Sequence, residues 1–382
     1  MRRRLNNLLT ILFEKVFQIG ILKKNVNNTS YSKNCIMMYI TSPFEKIENN
    51  HQNEWQAVEI ARLIGKFGYN VDVMDYYFEK GIIDKKYDAI FEITSHSESF
   101  YYKYLVADPI KVMYITGSNP IFANEAEQKR LKELMCRRGV MLSARRETEP
   151  FSKAIELYNS VCIIGNDITL KTYSDYNLPQ TFLIPNSGYD FWGKINVDTK
   201  RSDCFIYFGS SGSVHKGLDR LLEIFSKKDF PCDLYVCGSY ENETDFCKEY
   251  SKEIYHTKNI IPMGFLNISD KRFFEIVNRC AFTILPSCSE GMAGTITTMM
   301  SAGVIPICSL ECGIDSEDII VLEDCEIDTI ERTILWASKK SKEWVKTNSI
   351  RTMKLASNKY SRSIFSQKME EALEYSFRNN DK

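Results

Sequence analysis

The chain has 382 residues, of which 44% are hydrophobic and 26% charged, a composition typical of globular proteins and a length that favours two domains. Its 49 lysines and arginines are balanced by 50 aspartates and glutamates, so the cationic excess typical of nucleic-acid-binding proteins is missing and a nucleic-acid partner is disfavoured. The twelve cysteines form no C-x-x-C pair and do not cluster with the four histidines. This pattern favours free thiols in the cytoplasm over disulfides, and we assign no metal site.

Residues 1–24 carry three arginines followed by an amphipathic helical pattern. Glu14 and Lys15 interrupt the apolar run, which is too short and too charged to span a bilayer or to serve as a secretory signal. Two interpretations stay open: a helix held at the inner face of the membrane by its cationic residues, or a helix packed on the protein's own surface. Residues 25–33 are predicted to form a linker.

Residues 34–190 are predicted to form a first Rossmann-like domain, because apolar runs of strand length alternate with stretches of helical period. The predicted strands are 35–40, 71–74, 88–94, 111–116, 161–164 and 181–184, and the predicted helices are 54–67, 123–138 and 153–158. This alternation implies a parallel sheet with right-handed crossovers.

Residues 202–355 repeat the alternation and are predicted to form a second Rossmann-like domain. The predicted strands are 204–208, 233–237, 260–263, 282–285 and 319–322, and the predicted helices are 218–225, 243–255, 270–280, 327–339 and 341–360. Residues 356–382 contain one more predicted helix, at 366–376. The fold class is therefore expected to be α/β.

The stretch 282–307 has the order strand, loop, helix, strand: an apolar run ends at Pro286, a loop rich in serine and glycine carries Glu290, and a helix of small residues stops at Gly303. In an open parallel sheet, ligands bind at the carboxyl ends of the strands. The following helix directs unpaired N–H groups and a partial positive charge into the same crevice. We therefore expect a binding site for an anionic ligand beside this loop.

A second loop, 209–213, is also rich in glycine and serine and precedes the sequence His215-Lys216-Gly217 at the start of a predicted helix. Its backbone N–H groups suit a phosphate, and Lys216 adds a compact positive charge. The alternative interpretation is a helix start with an ordinary surface lysine.

These segments resemble retaining glycosyltransferases of the GT-B fold, family 4 type, also called glycosyl transferases group 1. Glu290 and Gly291 match the start of the family's donor loop, and Gly294 comes one place late. Thr298 stands where the family has a second glutamate. Residues 184–191 resemble the family's hinge, which places the domain boundary near 190–202.

The resemblance implies two Rossmann-like domains facing across a cleft, with residues 356–382 returning to the first, acceptor-side domain. It implies that Lys216 lies on the donor diphosphate, that Glu290 binds hydroxyls of the transferred sugar, and that Thr298 offers the ribose a single hydroxyl. An arginine usual in the family's first loop is missing here, where Ser210 and Ser211 stand. The implied donor-binding residues are Gly209, Ser210, Ser211, Gly212, Lys216, Gly217, Glu290, Gly291, Met292, Ala293, Gly294, Thr295 and Thr298. Glu290 has an alternative interpretation as well, in which its carboxylate caps the following helix instead of binding the sugar.

In the first domain, His51 and His96 each follow a predicted strand and are candidates for contact with the transferred sugar, although a lone histidine is more often structural. The pair Arg145 and Arg146 is a further candidate for anion contact. With Glu290 and Lys216, the two histidines complete the predicted catalytic set.

The predicted function is transfer of a sugar from a UDP- or GDP-linked donor to a saccharide or lipid-linked acceptor, with retention and with neither cofactor nor metal. The predicted location is the cytoplasm, with residues 1–24 as a contact to the inner membrane face. Two alternatives stay open. One is a sugar-nucleotide epimerase or phosphorylase of the same fold, and the other is a catalytically weakened binding subunit, favoured by the missing arginine and the missing second glutamate.

Overall fold

Two six-stranded parallel sheets organise the chain in a computed structural model that describes residues 22–77, 83–94 and 102–378. The strands of the first sheet are β1 (Lys33–Tyr39), β2 (Tyr69–Asp75), β3 (Tyr87–Glu92), β4 (Leu105–Ile115), β5 (Ser160–Ile164) and β6 (Thr181–Ile184). They lie in the order β2-β1-β3-β4-β5-β6, with every neighbouring pair parallel. The helices of this part are α1 (Gln52–Lys66), α2 (Pro120–Arg138) and α3 (Asp167–Lys171).

The second sheet contains β7 (Arg201–Gly209), β8 (Asp233–Gly238), β9 (Ile260–Gly264), β10 (Cys280–Leu285), β11 (Ile305–Cys308) and β12 (Ile320–Val321). Its order is β12-β11-β10-β7-β8-β9, again with parallel neighbours. The helices that follow are α4 (Leu218–Phe225), α5 (Thr244–Glu249), α6 (Ser251–His256), α7 (Lys271–Val277), α8 (Gly294–Ser301), α9 (Ile327–Ser338), α10 (Lys342–Lys359) and α11 (Arg362–Arg378). The predicted α/β fold with two Rossmann-like sheets is confirmed.

Both faces of the sheets are covered, as parallel sheets require. In β5, Cys162 and Ile164 belong to the main core, whereas Val161 and Ile163 pack in a separate cluster on the opposite face. This two-sided burial explains why the strands read in the sequence as continuous apolar runs instead of alternating ones.

The last helix, α11, packs against the first sheet. The ring of Phe377 lies 4.8 Å from that of Tyr69, and Phe365 lies 5.7 Å from Trp55 of α1. The chain therefore crosses back to the first domain after completing the second.

Helix α2 links the two domains through charged side chains near its end. Arg137 contacts Asp219 of α4 at 2.5 Å, and Arg138 contacts Glu253 of α6 at 2.8 Å. These arginines are partly buried, which strengthens their ion pairs relative to fully exposed ones. The predicted charged helix is thus an interdomain contact.

Several predicted boundaries differ from the structure. The helix predicted at 243–255 is two helices, because the backbone at Tyr250 leaves the helical region, with φ −97° and ψ 18°. The helix predicted at 270–280 ends at Val277, and Cys280 already belongs to β10, where it pairs with Arg201. The helix predicted at 153–158 is a 3-10 helix, Lys153–Leu157.

The segment predicted as a linker at 25–33 instead begins as an addition to the edge of β2. Val26 donates its N–H to the Val71 carbonyl at 2.9 Å, and Lys23 forms an antiparallel bridge with Val73. Unpaired backbone groups at a sheet edge attract such pairing. Residues 1–21, the main part of the predicted N-terminal helix, lie outside the described residues.

None of the helices in the described ranges combines the length and the apolar character that crossing a bilayer needs. The twelve cysteines all lie in the described ranges, where none of them forms a disulfide.

Candidate active site

A cavity of about 410 Å³ lies between the carboxyl ends of the two sheets and is lined by both domains. His51 lines it from the first domain, together with Gln52 and Arg146. The predicted donor-binding residues that line it are Gly209, Ser210, Lys216, Glu290, Gly291, Met292, Ala293, Gly294, Thr295 and Thr298. The structure therefore brings most of the predicted donor site together. His96 lies outside the described residues.

Lys216 and Glu290 form an ion pair on the floor of this cavity. Lys216 Nζ donates to Glu290 Oε1, and Ser287 Oγ donates to the same oxygen at 3.0 Å. The two side chains are only 4% and 10% exposed. Burial by itself would raise the pKa of Glu290, but the positive charges of Lys216 and Arg146 outweigh it and lower the pKa to about 2. Glu290 is therefore a carboxylate at neutral pH.

The helix that follows Glu290 is not capped by it. Ala293 occupies the N-cap position of α8, with no side-chain hydrogen bond to the helix end. The alternative interpretation of Glu290 as a helix cap is thus wrong. Gly294 and Thr295 line the cavity, so the helix start and its partial positive charge face the same space as Lys216.

In the loop 209–213, a carboxylate of the same domain already accepts hydrogen bonds from backbone N–H groups. Glu243 Oε1 accepts the N–H of Gly212 at 2.7 Å and that of Ser213 at 3.2 Å. Ser211 and Gly212 do not line the cavity, and the amide predicted for phosphate at Gly212 is directed at Glu243 instead. Gly217, also outside the cavity lining, adopts φ 73° beside Pro286, where an added Cβ would lie 2.6 Å from Pro286 Cγ. Its role in the structure is to bring Lys216 close to the Glu290 loop.

Gln52, at the start of α1, contacts α8 across the cleft. Its Nε2 donates to the Gly294 carbonyl at 3.0 Å, and it lies 3.1 Å from Thr297 Oγ1 and 3.0 Å from Thr298 Oγ1. Thr298 Oγ1 in turn donates to the Gly294 carbonyl at 2.7 Å. The hydroxyl proton of Thr298 is thus committed within the protein. Sequence reasoning missed Gln52, whose signal was its place in the polar run 49–53 at the start of α1.

His51 caps α1, with its Nδ1 accepting the N–H of Asn53 at 3.2 Å. Its ring lies at the mouth of the cavity, where desolvation and the positive charges of Lys216 and Arg146 lower its pKa against the opposing effect of the hydrogen bond from Asn53. The structure gives His51 a helix-capping role and a place on the cavity wall at once.

His215 is a second residue that sequence reasoning did not single out as functional. It is buried, and burial above all lowers its pKa to about 4, so the ring is neutral at pH 7. Its Nε2 lies 2.6 Å from the Ser289 carbonyl and must donate the hydrogen, while its own carbonyl accepts the N–H of Cys288 at 2.9 Å. His215 therefore holds the loop that presents Glu290.

The Glu290 loop also docks directly on the first domain. Thr169 Oγ1 donates to the Gly291 carbonyl at 2.9 Å, and Ser118 Oγ donates to the Glu290 carbonyl. A Cβ at position 291 would lie 2.5 Å from the Ile164 carbonyl and 2.8 Å from the Thr116 carbonyl. Only glycine permits this close approach of the two domains.

A second cavity, of about 680 Å³, adjoins the first on the side of the first domain. The two cavities share Arg146, Glu290 and Gly291 in their walls. Tyr76 also lines both cavities, whereas Phe151 lines only the larger one. The arrangement is thus two adjoining spaces that share a carboxylate and an arginine, with Lys216 in the wall of the smaller one.

Residues 202–339 match the model of the family described as Glycosyl transferases group 1. No curated protein sequence matches the chain at a significant level. The family match confirms a group 1 glycosyltransferase domain, as the resemblance implied.

Solved structures of low sequence identity share the fold. Sucrose-phosphate synthase from Thermosynechococcus elongatus has a TM-score of 0.64 and 11% identity, covering 91% of this chain and 100% of that one. HepE from Anabaena in complex with UDP-glucose has a TM-score of 0.58 and 13% identity, with coverages of 89% and 99%. A mutant of TarM from S. aureus, in complex with fondaparinux, alpha-GlcNAc-glycerol and UDP, has a TM-score of 0.53 and 12% identity over 76% of this chain. The chain spans 55% of the TarM length. The predicted GT-B fold is confirmed.

Proposed function

We propose, from the premise that residues 202–339 are a group 1 glycosyltransferase domain, that the whole chain transfers a sugar from a UDP- or GDP-linked donor to a saccharide or lipid-linked saccharide. The observation that carries this proposal is the buried pair of Lys216 and Glu290 at the meeting point of two cavities. One space suits a nucleotide sugar and the other suits an acceptor.

The donor occupies the cavity of about 410 Å³, with its diphosphate beside Lys216 and the start of α8. Glu290 accepts hydrogen bonds from hydroxyls of the transferred sugar, because a carboxylate with a pKa of about 2 is an acceptor only. The acceptor approaches from the larger cavity, on the same face of the sugar as the leaving group.

In the reaction, an acceptor hydroxyl forms a bond to the anomeric carbon while the bond from that carbon to the diphosphate oxygen breaks. The hydroxyl proton passes to the departing phosphate, and the configuration of the sugar is retained. Charge on the leaving diphosphate is stabilised by Lys216 and by the N–H groups at the start of α8, which are fixed in place before the reaction. This stabilisation does not call for a metal ion.

UDP is the first nucleotide to test, because HepE and TarM are both described in complexes that contain UDP. The assay mixes the purified chain with UDP- and GDP-linked sugars and a panel of saccharide and lipid-linked acceptors. Acceptor-dependent release of UDP or GDP, with a mass increase of one sugar on the acceptor, supports the proposal. The anomeric configuration of the product, read by NMR, tests retention, and activity in EDTA tests independence from metal.

The same assay separates the alternatives. An epimerase changes the nucleotide sugar with no acceptor present, and a phosphorylase consumes inorganic phosphate together with a saccharide. Binding of the nucleotide sugar without any transfer would support the third alternative, a catalytically weakened binding subunit.

We also propose that the chain acts in the cytoplasm, at the inner membrane face, through its first residues. Lys23 and Lys24, the last two cations of the segment 1–24, are engaged within the protein, because Lys23 pairs with Glu45 and Lys24 with Asp84. The test therefore deletes residues 2–21 and measures flotation with vesicles of phosphatidylcholine and phosphatidylglycerol. Equal flotation of the deleted and full-length chains would remove this part of the proposal.

A further inference from the structure

We propose that Arg146, on the first domain, binds the leaving diphosphate as a second cation opposite Lys216. The inference rests on the proposed function, since it assumes a nucleoside diphosphate sugar as donor. Four observations support it: the anchoring of the backbone, the reach of the side chain, the local charge and the position between the two cavities.

The backbone at Arg146 is held by a buried carboxylate. Glu127 of α2, which is only 1% exposed, accepts the N–H of Arg145 through one oxygen and that of Arg146 through the other, both at 2.9 Å. Arg145 then pairs with Asp245 of the second domain, which also accepts the N–H of Ser143 at 3.2 Å. The segment 143–146 is thus fixed to both domains. The guanidinium of Arg145 takes part in this anchoring, whereas for Arg146 it is the backbone that is held.

The side chain of Arg146 reaches across the cleft to the loop 209–213. A Cβ added at Gly212 would lie 2.7 Å from Arg146 Cγ and 3.1 Å from Cδ. The arginine stem therefore occupies the space that a side chain at position 212 would need. Arg146 therefore packs directly on the loop 209–213, of which Gly209 and Ser210 line the smaller cavity.

The charge balance of the site favours a second cation. The positive charge of Lys216 is already offset by Glu290 in their buried pair. Among the residues that the structure describes, no carboxylate forms an ion pair with the Arg146 guanidinium, whereas that of Arg145 is taken by Asp245. A guanidinium can bind a diphosphate through two parallel hydrogen bonds, which a lysine cannot do.

Arg146 also lies where it can act on the reaction. It lines both cavities, and its charge acts on Glu290, whose pKa is lowered to about 2 by Lys216 and Arg146 against the opposing effect of burial. An anion bound between the two cavities would therefore be attracted by the Arg146 guanidinium. Two anions fit this position, the donor diphosphate and a phosphate on the acceptor. The contact of Arg146 with the loop 209–213, whose Gly209 and Ser210 line the smaller cavity, favours the donor diphosphate.

The experiment measures binding of UDP, UMP and uridine, and of GDP, GMP and guanosine, by calorimetry. The variants are Arg146→Ala, Arg146→Lys and Arg279→Ala; Arg279 is an exposed arginine directly before β10, at the opposite end of the second sheet. We expect Arg146→Ala to weaken binding of the nucleoside diphosphate by roughly 10- to 100-fold, which is the usual effect of losing a charged hydrogen-bonding partner. Binding of the nucleoside should change less than about threefold. The affinity of Arg146→Lys for the nucleoside diphosphate should lie between those of Arg146→Ala and the wild type, and the affinity of Arg279→Ala should equal that of the wild type.

The outcomes separate the inference from the proposed function. If the wild-type chain binds neither UDP nor GDP, the proposed function fails and the inference fails with it. If the wild type binds one of them and Arg146→Ala binds it equally well, the inference alone is overturned. A raised KM for a phosphorylated acceptor with unchanged affinity for UDP or GDP would assign Arg146 to the acceptor and would also overturn it.

Discussion

Lys216 and Glu290 are 74 residues apart in the chain, yet the lysine Nζ donates to a carboxylate oxygen of the glutamate in a site that is almost closed to water. Each side chain comes from a different loop at the carboxyl edge of the second sheet. Removing one partner of such a pair leaves a buried charge uncompensated, at a cost of about 3 to 5 kcal/mol. Donor binding and the stability of the fold are therefore both expected to depend on this ion pair.

Replacing Lys216 by alanine should lower turnover of the nucleotide sugar at least about a hundredfold, because the charge that stabilises the departing diphosphate is lost. The measurement is the rate of nucleotide release, made at a temperature where thermal unfolding shows the variant to be folded. Lys346→Ala is the matched control, since Lys346 makes an exposed ion pair with Asp198. Unchanged turnover in Lys216→Ala would remove Lys216 from the reaction.

The buried histidine makes stability depend on pH. His215 has a pKa of about 4 in the folded chain against 6.5 in the unfolded chain, so the unfolded chain binds more protons between these values. The contribution of His215 to the free energy of unfolding should therefore fall by about 2 to 3 kcal/mol as the pH drops from 7 to 4.5. Glu290, whose folded pKa is about 2 against 4.5 unfolded, contributes stability that is lost only below pH 4.5.

Urea unfolding at several pH values tests this prediction with His215→Asn, which keeps an N–H donor but does not titrate. Its unfolding free energy should depend less on pH than that of the wild type. His256→Asn is the control, because His256 is exposed. Equal pH dependence in His215→Asn and the wild type would contradict the prediction.

A methyl group at position 291 should separate the domains. Gly291→Ala brings a Cβ to within 2.8 Å of two carbonyl oxygens of the first domain, those of Ile164 and Thr116. We expect a loss of stability of about 1 to 3 kcal/mol and a clear loss of turnover. Gly117→Ala is the matched control, because a Cβ there meets nothing within 4 Å, and it should unfold at the wild-type temperature. Similar unfolding temperatures for the two variants would show that the close approach is not needed.

Gln52 offers a test of the contact between α1 and α8. Gln52→Ala removes hydrogen bonds to the Gly294 carbonyl and to the hydroxyls of Thr297 and Thr298. Unfolding should become easier by about 1 to 2 kcal/mol, and the KM for the nucleotide sugar should rise because α8 forms a wall of the donor cavity. Gln367→Ala, on the exposed side of α11, controls for helix propensity. A KM equal to the wild-type value would limit Gln52 to a structural role.

The parts of the fold that were predictable are those with a local signal. Strands such as β5 are continuous apolar runs, and α2 ends at Gly139, whose φ of 74° suits glycine. Boundaries were predicted wrongly where no local pattern decided them. No glycine or proline marks the break at Tyr250, and the chain around Val26 is held by distant contacts, with the Val71 carbonyl of β2 and, through Asn27, with the Ala61 carbonyl of α1.

The candidate site was predictable in its loops but not in its pairings. The order strand, loop and helix placed Glu290 and Lys216 correctly at one edge of a sheet. The contact of Thr298 with Gln52 joins residues 246 positions apart, and Glu243 reaches the Gly212 amide from a different loop. Such contacts depend on how the two domains meet, which no local pattern encodes. The expected roles of His51 and of Thr298 in substrate contact stay predictions.

The ion pairs of α2 have a consequence for protein engineering. Since Arg137 and Arg138 of the first domain meet Asp219 and Glu253 of the second, the two halves of the chain are matched to each other by charge as well as by shape. A chimera that keeps this donor half but takes its acceptor half from another protein would leave those carboxylates unmatched. Altering acceptor choice by recombination would therefore require grafting α2 unchanged, so that the exchangeable unit is smaller than a domain.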